Sequence, residues 1–382
     1  VEFKPSAINK MLGITISEED MASELDRLDF KYTKDGDKFT CTIPNRRLDI
    51  EANVNDIAEE IGRLYGYQNL VSTLPKGEFK SGVYVGDVKY RKLISKRLRA
   101  LGLNECKTYT LVSPDMAKLF NYENKNKIVL PNPMSVDKSV IRATLIPSLL
   151  NIYDYNKARK VTDVCIYEIS KTYDTNLTED TKVSVLMKGN YLVNNWQNLR
   201  VKVDFYLVKG IVENLLDYLG LKNRYSFVVD TIPDLHPGIS AKIILDREEI
   251  GIIGRVHPSL KKDEIYVFEL SMNKLIKQIK PLKYKEASKY PSITKDMAFI
   301  VKKDVSSNDI QSIIKKVGGR LLTDIDVFDV YVGENVGDDE KSIAYTLTFS
   351  DSTRTLSDEE VTQLFRQIIE KVEQTGAKLR DK

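Results

Sequence analysis

Three acidic side chains, Asp56, Glu59 and Glu60, are spaced three and four residues apart in a stretch with helical periodicity. On a helix these positions share one face near the first turn, so their carboxylates lie close enough to bind one cation. A hard cation such as Mg²⁺ needs several oxygen ligands. Acidic residues are also favoured at a helix N-terminus for its free N–H groups and dipole. The spacing alone favours this second explanation.

Two arginines, Arg46 and Arg47, come just before Asp49 in the same segment. A guanidinium pairs with a carboxylate or with an RNA phosphate, because both present oxygens that match its N–H groups. Of these two partners, we expect the nearby carboxylates, in salt bridges within the domain.

The two histidines, His236 and His257, are each followed by proline. Neither is accompanied by Cys, His or Asp at metal-ligand spacing, and no Ser-His-Asp arrangement is visible. A catalytic histidine needs an orienting partner. We therefore expect structural histidines, no catalytic residue in this chain, and a core position for the single Trp196.

The composition is typical of a globular protein, with 42% hydrophobic and 30% charged residues. A length of 382 residues allows two or three domains. No apolar run is long enough to cross a bilayer, so no membrane partner is expected. The three widely spaced cysteines suit reduced thiols, and the start at Val1 shows no leader. We expect a cytoplasmic protein and, without an initial Met, a fragment.

The charge is unevenly distributed. Residues 1–74 contain 9 basic and 14 acidic residues, residues 75–289 contain 36 and 24, and residues 290–382 contain 13 and 17. The basic excess is therefore central, and it is dense on a predicted helix over residues 90–101. A charge run of this kind is usually a solvated face.

Residues 1–74 combine short helices with a hairpin. Ser17, followed three residues later by Asp20, predicts a capped helix. A turn is predicted at Asp35-Gly36-Asp37. The predicted helices cover residues 6–12, 18–28 and 55–65, and the predicted strands cover 30–33 and 38–43. This combination is compatible with a winged-helix-like domain.

Residues 83–282 follow a Pro- and Gly-containing linker and mix long helices with many strands. Ser113-Pro114 predicts a helix start. Other helices are predicted over residues 90–101 and 204–219, and strands over 106–112, 165–169, 182–186, 225–229, 241–245 and 265–270. Strands that do not alternate strictly with helices predict an α+β domain with a largely antiparallel sheet.

Residues 290–382 show the order strand, helix, strand, strand, helix, strand. Ser357 and Glu360 form a capping box before the second helix. The predicted strands cover residues 296–301, 321–332, 343–349 and 377–380, and the helices cover 307–317 and 357–374. This order is ferredoxin-like. The whole chain is thus predicted to be an α+β multidomain protein.

Four ordered motifs resemble the β subunit of bacterial phenylalanyl-tRNA synthetases. They are IPNRRLDI (43–50) with DIAEEIGRLYGY (56–67); LPNPMS (130–135) with IRATLIP (141–147); LHPG (235–238) with GIIGRVHP (251–258); and FDVY (328–331) with RTLSDEE (354–360). They span nearly the whole chain. The resemblance implies a winged-helix-like domain (1–74), a non-catalytic domain on the class II synthetase fold (83–282) and a ferredoxin-like anticodon-binding domain (290–382).

The resemblance also implies a function and partners. The chain would be a β-subunit portion of a phenylalanine-tRNA ligase that supports ATP-dependent charging of tRNA(Phe), without the family's N-terminal tRNA-binding and editing modules. It would dock a catalytic α subunit, which binds ATP, within an α₂β₂ heterotetramer. A Mg²⁺ shared with that α subunit would be bound by Asp49, Asp56, Glu59 and Glu60.

The motif FDVY lies on a predicted strand. Alternation places Phe328 and Val330 on one face, which we expect to pack against the helices, and Asp329 and Tyr331 on the other. An exposed Tyr331 could stack on an unpaired base, and Asp329 could accept from a base edge. Without the resemblance, both would simply face solvent. With it, the predicted anticodon-binding residues are Asp329, Tyr331, Ser342 and Arg354.

The motif GIIGRVHP is superficially close to the Gly-rich strand-to-helix motif ending in Arg that a class II ATP site needs. Pro258, however, prevents a helix from continuing directly after Arg255. Arg142 lies among Leu and Ile residues, in a context that indicates packing. We therefore expect the fold without the ATP site, and no catalysis by this chain alone.

Two other functions remain open from the sequence. A stand-alone winged-helix regulator or structural module would need a basic recognition helix, which the acidic excess of residues 1–74 opposes. A free-standing enzyme would need its own nucleotide site.

Overall fold

The computed structural model describes residues 1–123, 127–281, 284, 286–334 and 336–380. The chain divides into two compact units, Val1–Val83 and Tyr84–Lys382. Among the described residues, no helix is both long and apolar enough to span a membrane.

The first unit packs three helices on a small antiparallel sheet of order β1-β3-β2. Its elements are β1 (Glu2–Phe3), α1 (Pro5–Leu12), α2 (Glu18–Arg27), β2 (Lys31–Asp35), β3 (Lys38–Thr42) and α3 (Val54–Tyr65). The predicted cap is confirmed, because Ser17 Oγ accepts from Asp20 N at 3.0 Å. Helix α3 buries Ile57 and Ile61 against Phe39, and this apolar cluster holds the unit together.

The second unit contains a seven-stranded sheet of order β12-β13-β14-β15-β9-β8-β4, antiparallel except where β4 pairs with β8. The predicted largely antiparallel α+β arrangement is confirmed. The elements of this part are α4 (Gly86–Ala100), β4 (Asn104–Glu105), β5 (Leu111–Val112), β6 (Ile128–Val129), β7 (Val140–Ile141), α5 (Ile146–Lys157), β8 (Val164–Tyr173), β9 (Glu179–Lys188), β10 (Asn190–Asn194), β11 (Leu199–Lys202), α6 (Phe205–Tyr218), β12 (Tyr225–Val229), β13 (Leu235–Leu245), β14 (Glu248–Val256), β15 (Tyr266–Ser271) and α7 (Met272–Gln278).

Both faces of this sheet are covered. Leu98 of α4 and Leu215 of α6 belong to the apolar cluster on one face. Leu149 and Tyr153 of α5 belong to the cluster on the other face. Burial on both faces explains why the strands read as nearly continuous apolar runs.

Three expectations for this part are wrong. The predicted strand 106–112 is reduced to Leu111–Val112, because the Thr108 amide and hydroxyl bond to the Glu168 carboxylate instead of a strand ladder. The helix expected after Ser113-Pro114 is a single turn that ends before Phe120, whose φ is 54°. Trp196 lies in the turn of the β10–β11 hairpin and is 84% exposed.

The rest of the second unit confirms the ferredoxin-like order. Its elements are β16 (Ile293–Lys302), α8 (Ser307–Gly318), β17 (Leu322–Tyr331), β18 (Glu340–Phe349), α9 (Asp358–Glu373) and β19 (Lys378–Leu379). The four-stranded sheet has the order β17-β18-β16-β19. Helix α9 is capped by Ser357, as predicted. Both helices pack on the same face, where Ile314 and Ile368 join the core, so the opposite face is open.

A buried ion pair crosses the interior of the larger sheet's domain. Arg142 Nη2 lies 3.2 Å from Glu168 Oε1, and both side chains are almost fully buried. Arg142 Nη1 also donates to Thr108 Oγ1. The pair therefore joins strand β8 to the segments that precede β5 and follow β7.

We predict that Glu168→Ala lowers the free energy of unfolding by about 3–5 kcal/mol, because it leaves the Arg142 guanidinium buried without a counterion. The double variant Arg142→Met with Glu168→Leu should lose less, since no charge remains. Urea denaturation followed by far-UV circular dichroism measures both. Glu179→Ala, which breaks an exposed pair with Lys171, is the control, expected to cost at most about 1 kcal/mol. Equal losses in the single and double variants would contradict the prediction.

Candidate nucleic-acid interface and candidate metal centre

The open face of the four-stranded sheet carries Asp329 and Tyr331. Tyr331 pairs across the ladder with Ser342, and Asp329 pairs with Ala344. Directly opposed residues share a face. The intervening Ile343 lies in the core, so these four side chains belong to the open face.

Tyr331, Ser342 and Arg380 come together on this face. The Arg380 guanidinium lies 5.3 Å from the centroid of the Tyr331 ring, and its Nη1 lies 3.4 Å from Ser342 Oγ. The Tyr331 hydroxyl donates to the Glu334 carbonyl. An aromatic ring and a cation are thus placed side by side, which suits stacking on a base and hydrogen bonding to it. Ser342 itself is only 2% exposed, so its hydroxyl contacts Arg380 and does not reach a base directly.

Arg380 is not among the residues predicted from the sequence. A signal was available, because Leu379 packs against the core and the alternation of the predicted strand 377–380 then places Arg380 on the open face. The sequence pattern does not give the register of the sheet. In that register Leu379 pairs with Phe299, which brings β19 beside β16.

Arg354 occupies a different place. It lies between β18 and α9, and its guanidinium donates to both Glu360 carboxylate oxygens at 2.8 and 2.6 Å. It also lowers the pKa of Glu360. Ser342 and the end of β18 at Phe349 are seven residues apart, about 23 Å along a strand. The structure therefore does not bring Arg354 to Tyr331, and its part in RNA binding stays a prediction.

The expectation that Phe328 and Val330 pack against the helices is wrong, since each is 55% exposed. The register shifts between Val327 and Asp329, so Phe328 is the extra residue of a β-bulge. Val330 pairs with the core residue Ile343 and so keeps the predicted face, but it is exposed on the edge strand β17. Strict alternation cannot anticipate a bulge.

The acidic residues of the candidate metal centre lie on or just before α3. Asp56 is in the first turn, where its amide donates to the Asn53 cap and its Oδ2 accepts from Glu51 N at 2.6 Å. Glu59 is exposed, whereas Glu60 is buried. The structure thus separates these carboxylates into solvated and buried ones.

Arg47 lies between Asp49 and Glu60. Its guanidinium donates to Glu60 at 2.7 and 2.9 Å and to Asp49 at 2.7 Å, while Arg63 donates to Glu60 at 2.8 Å. The salt bridge predicted for Arg47 is confirmed. These hydrogen bonds lower the pKa of Asp49 to about 2 and also lower the pKa of Glu60. Arg46 lies 3.6 Å from Asp29.

The four predicted ligands, Asp49, Asp56, Glu59 and Glu60, do not fit a Mg²⁺ held by this chain alone. Among the residues that the structure describes, no three His, Cys, Asp or Glu side chains are grouped closely enough to hold a metal ion. Arg47 supplies the positive charge between two of them, and a guanidinium there repels a cation.

The two histidines bond to residues two positions further along the chain, His236 within β13 and His257 in the turn after β14. His236 Nδ1 accepts from Gly238 N at 3.1 Å, and His257 Nδ1 lies 2.6 Å from Ser259 Oγ. These contacts are local and structural.

Comparisons with known proteins give matches to three family models. They are the tRNA synthetase B5 domain (residues 1–67), the phenylalanyl tRNA synthetase beta chain CLM domain (70–272) and the ferredoxin-fold anticodon binding domain (288–380). The fold and the open sheet thus define an α+β protein of the aminoacyl-tRNA synthetase class, with a ferredoxin-fold anticodon-binding domain. Since the beta-chain model covers more than half of its length, the chain belongs to the phenylalanyl-tRNA synthetase beta chain family.

Similar curated proteins agree. The phenylalanine–tRNA ligase beta subunit of Bacillus subtilis is 38% identical over 378 residues, covering 96% of this chain and 47% of the relative. That of Geobacillus kaustophilus is 38% identical over 384 residues, covering 98% and 48%. The chain spans about half the length of the curated relatives it matches. A pyrrolysyl-tRNA synthetase structure from Desulfitobacterium hafniense matches with a TM-score of 0.38 and 13% identity over 49% of this chain and 64% of the other, too weakly to support an argument.

We predict that the carboxyl signals of Asp49 and Glu60, followed by ¹³C NMR without metal, titrate below their ordinary pKa values of 3.8 and 4.5. Arg47→Met should move both midpoints upward, whereas Lys4→Met, which breaks a separate exposed pair, should move neither. Since both folded pKa values are lowered, the stability they contribute is complete above the unfolded values and is lost as pH falls through the folded ones. Unchanged midpoints in Arg47→Met would contradict the assignment.

Proposed function

We propose that this chain is the part of a phenylalanine-tRNA ligase β subunit that binds the anticodon region of tRNA(Phe) and docks a catalytic α subunit in an α₂β₂ enzyme. Its role is to support ATP-dependent charging of tRNA(Phe), with ATP bound by the α subunit. The observation that supports this proposal most directly is the grouping of Tyr331, Ser342 and Arg380 on the open face of an anticodon-binding fold.

The proposed domains are a winged-helix-like domain (1–74), a non-catalytic class II synthetase-like domain (83–282) and an anticodon-binding domain (290–382). The helices and hairpin of the first unit and the helix-covered antiparallel sheet of the second support this division. Residue 282 and residues 381–382 lie outside the described residues.

The motif around Gly251 supports a scaffold rather than a nucleotide site. Gly251 and Gly254 both lie inside β14, and a Cβ on Gly251 would meet the Glu269 carbonyl at 2.0 Å. Glycine is therefore required by the close approach of β15. Arg142, the other candidate for a nucleotide-binding arginine, is buried against Glu168.

An exposed apolar patch supports the docking role. It surrounds the small sheet of β5, β7 and β6 and consists of Tyr109, Val129, Met134 and Val136. Lys138 Nζ lies 3.8 Å from the centroid of the Tyr109 ring, which connects the segment before β5 to the segment that contains Val136. Exposed apolar side chains that are grouped around one small sheet are typical of protein interfaces.

For the cation, we propose a Mg²⁺ that is bound together with the α subunit. In the described part of the chain, Asp56 and Glu59 form no ion pair, so their charges remain available. Protein Mg²⁺ is typically held by one or two carboxylates with waters and other ligands. Asp49 and Glu60 become Mg²⁺ ligands only if the Arg47 guanidinium moves away from their carboxylates. The carboxyl signals followed above, recorded in the complex with and without Mg²⁺, test this.

A regulator that binds DNA through the first unit is not favoured, because residues 1–74 carry more acidic than basic residues. The three free cysteines suit the cytoplasm proposed for the enzyme.

We predict that Tyr331→Ala and Arg380→Gln each weaken binding of a tRNA(Phe) transcript, because they remove the stacking ring and its neighbouring cation. Loss of one stacked base costs about 1–3 kcal/mol, or roughly 5- to 150-fold. Fluorescence anisotropy with labelled tRNA measures the affinity. Arg354→Gln, which removes a cation already paired with Glu360, is the control with a smaller expected effect. A wild-type affinity for tRNA(Phe) in both variants would contradict the proposed site.

We predict that Met134→Glu with Val136→Glu prevents co-elution of the chain with the purified α subunit of a related enzyme, because two carboxylates would be buried in the interface. Leu177→Glu, at another exposed position, is the control. Size-exclusion chromatography of the mixtures gives the result. Co-elution of the double variant at wild-type levels would exclude this patch as the docking surface.

A further inference from the structure

The exposed face of α4 is a stripe of four cations. Lys89, Lys92, Lys96 and Arg99 follow one another at spacings of three, four and three residues, which places them on one side of the helix. All four are exposed, while Ile94 and Leu98 on the other side are buried in the core. From Lys89 to Arg99 the stripe rises by ten residue steps, or about 15 Å.

These cations have no carboxylate partner in the described structure. None of the four forms an ion pair there, and Arg99 donates to a carbonyl of its own helix. Other lysines of the same unit are paired, including Lys118, Lys157, Lys171 and Lys209. Like charges at these spacings repel each other, so the stripe is suited to an anionic ligand.

The β10–β11 hairpin begins at the C-terminal end of this helix. Tyr191 of β10 donates its hydroxyl to the Leu101 carbonyl at 2.7 Å, immediately after α4. The turn of the hairpin carries Trp196, five residues or about 17 Å further along. The stripe therefore leads to the base of the element that presents the only Trp of the chain.

The hairpin has the composition of a nucleobase-binding element. Residues 190–202 contain four Asn and one Gln, the cations Arg200 and Lys202, and no Asp or Glu. Trp196 is 84% exposed, although a large aromatic ring in water contributes nothing to the core. An aromatic ring stacks on any base, and amides bond to base edges. Lys202 is already paired with Glu264, which leaves Arg200 as the free cation among the described residues here.

We propose that the α4 stripe and the β10–β11 hairpin form a second RNA-binding surface. Phosphates of an unpaired RNA segment lie along the four cations of α4, and a base of that segment stacks on Trp196. The four-stranded sheet cannot supply this electrostatic attraction, because residues 290–382 carry more acidic than basic residues. The inference deepens the proposed function and rests on it only in expecting RNA as the partner.

The first test removes the stripe with Lys89→Gln, Lys92→Gln, Lys96→Gln and Arg99→Gln in the full chain. Affinities for a tRNA(Phe) transcript, for the same transcript with a changed anticodon, and for a uridine 12-mer are measured against salt concentration. Four lost phosphate contacts should reduce the slope of log K against log salt by about 3 for all three RNAs. The charge-matched control replaces Lys118, Lys157, Lys171 and Lys209 by Gln.

The second test uses Trp196 as its own reporter, since it is the sole Trp. Stacking should quench its fluorescence and reduce its quenching by acrylamide when the uridine 12-mer binds. Trp196→Ala should weaken 12-mer binding at least fivefold without changing the salt slope, and Trp196→Phe should restore most of the affinity. A wild-type affinity in Trp196→Ala overturns the stacking contact.

The outcomes separate this inference from the proposed anticodon site. Equal binding of both transcripts, with both lost in the stripe variant, refutes anticodon recognition and supports the second surface. Wild-type salt slopes in the stripe variant, with discrimination still dependent on Tyr331, refute the second surface alone. Protection of Trp196 by the α subunit and not by RNA also refutes it, because the hairpin would then be a protein-docking element.

Discussion

The seven-stranded sheet is covered on both faces, so charged side chains on its strands are buried. The packing of this part of the chain depends on the pairing of these buried charges. Lys182 on β9 lies 2.7 Å from Glu123 and 3.5 Å from Glu269, and its side chain is almost fully buried. Burial alone lowers the pKa of Lys182, but the carboxylates of Glu269 and Glu123 more than offset this and raise it. A buried charge is tolerated only when it is paired in this way.

These buried carboxylates also organise the segment between α4 and α5. Glu269 accepts from the Leu145 amide at 2.8 Å, just before α5, and Glu168 accepts from Thr108. An irregular segment is thereby satisfied by side chains of the sheet, as buried backbone groups require. Its exposed side is then free to present the apolar patch proposed for docking. The interior of this part of the chain therefore holds charged groups that are paired with one another.

The sequence predicted the elements whose signals are local. The ferredoxin-like order followed from alternating strands and from Ser357 as a cap, and the first unit followed from Ser17 and the turn at Asp35 to Asp37. What failed depended on distant partners. Thr108 is drawn out of a strand by Glu168, sixty residues away, and the bulge at Phe328 follows from pairing with β18. For the candidate sites, the structure places Asp329, Tyr331 and the buried Ser342 on one face, and their part in RNA binding stays a prediction. Finding Arg380 required the sheet register.

The charge distribution separates two tasks in the RNA binding that we propose. Along β17 the residues opposite Thr348, Thr346 and Ala344 are all aspartates, namely Asp324, Asp326 and Asp329. Such an edge repels phosphates, so it can select among bases without holding the backbone. It also discourages pairing of this edge strand with another chain. An acidic surface that discriminates among bases but does not attract phosphates needs a second surface with more basic than acidic residues. The four cations of α4 lie outside the four-stranded sheet, and in the proposed division of tasks this allows affinity and selectivity to be altered independently.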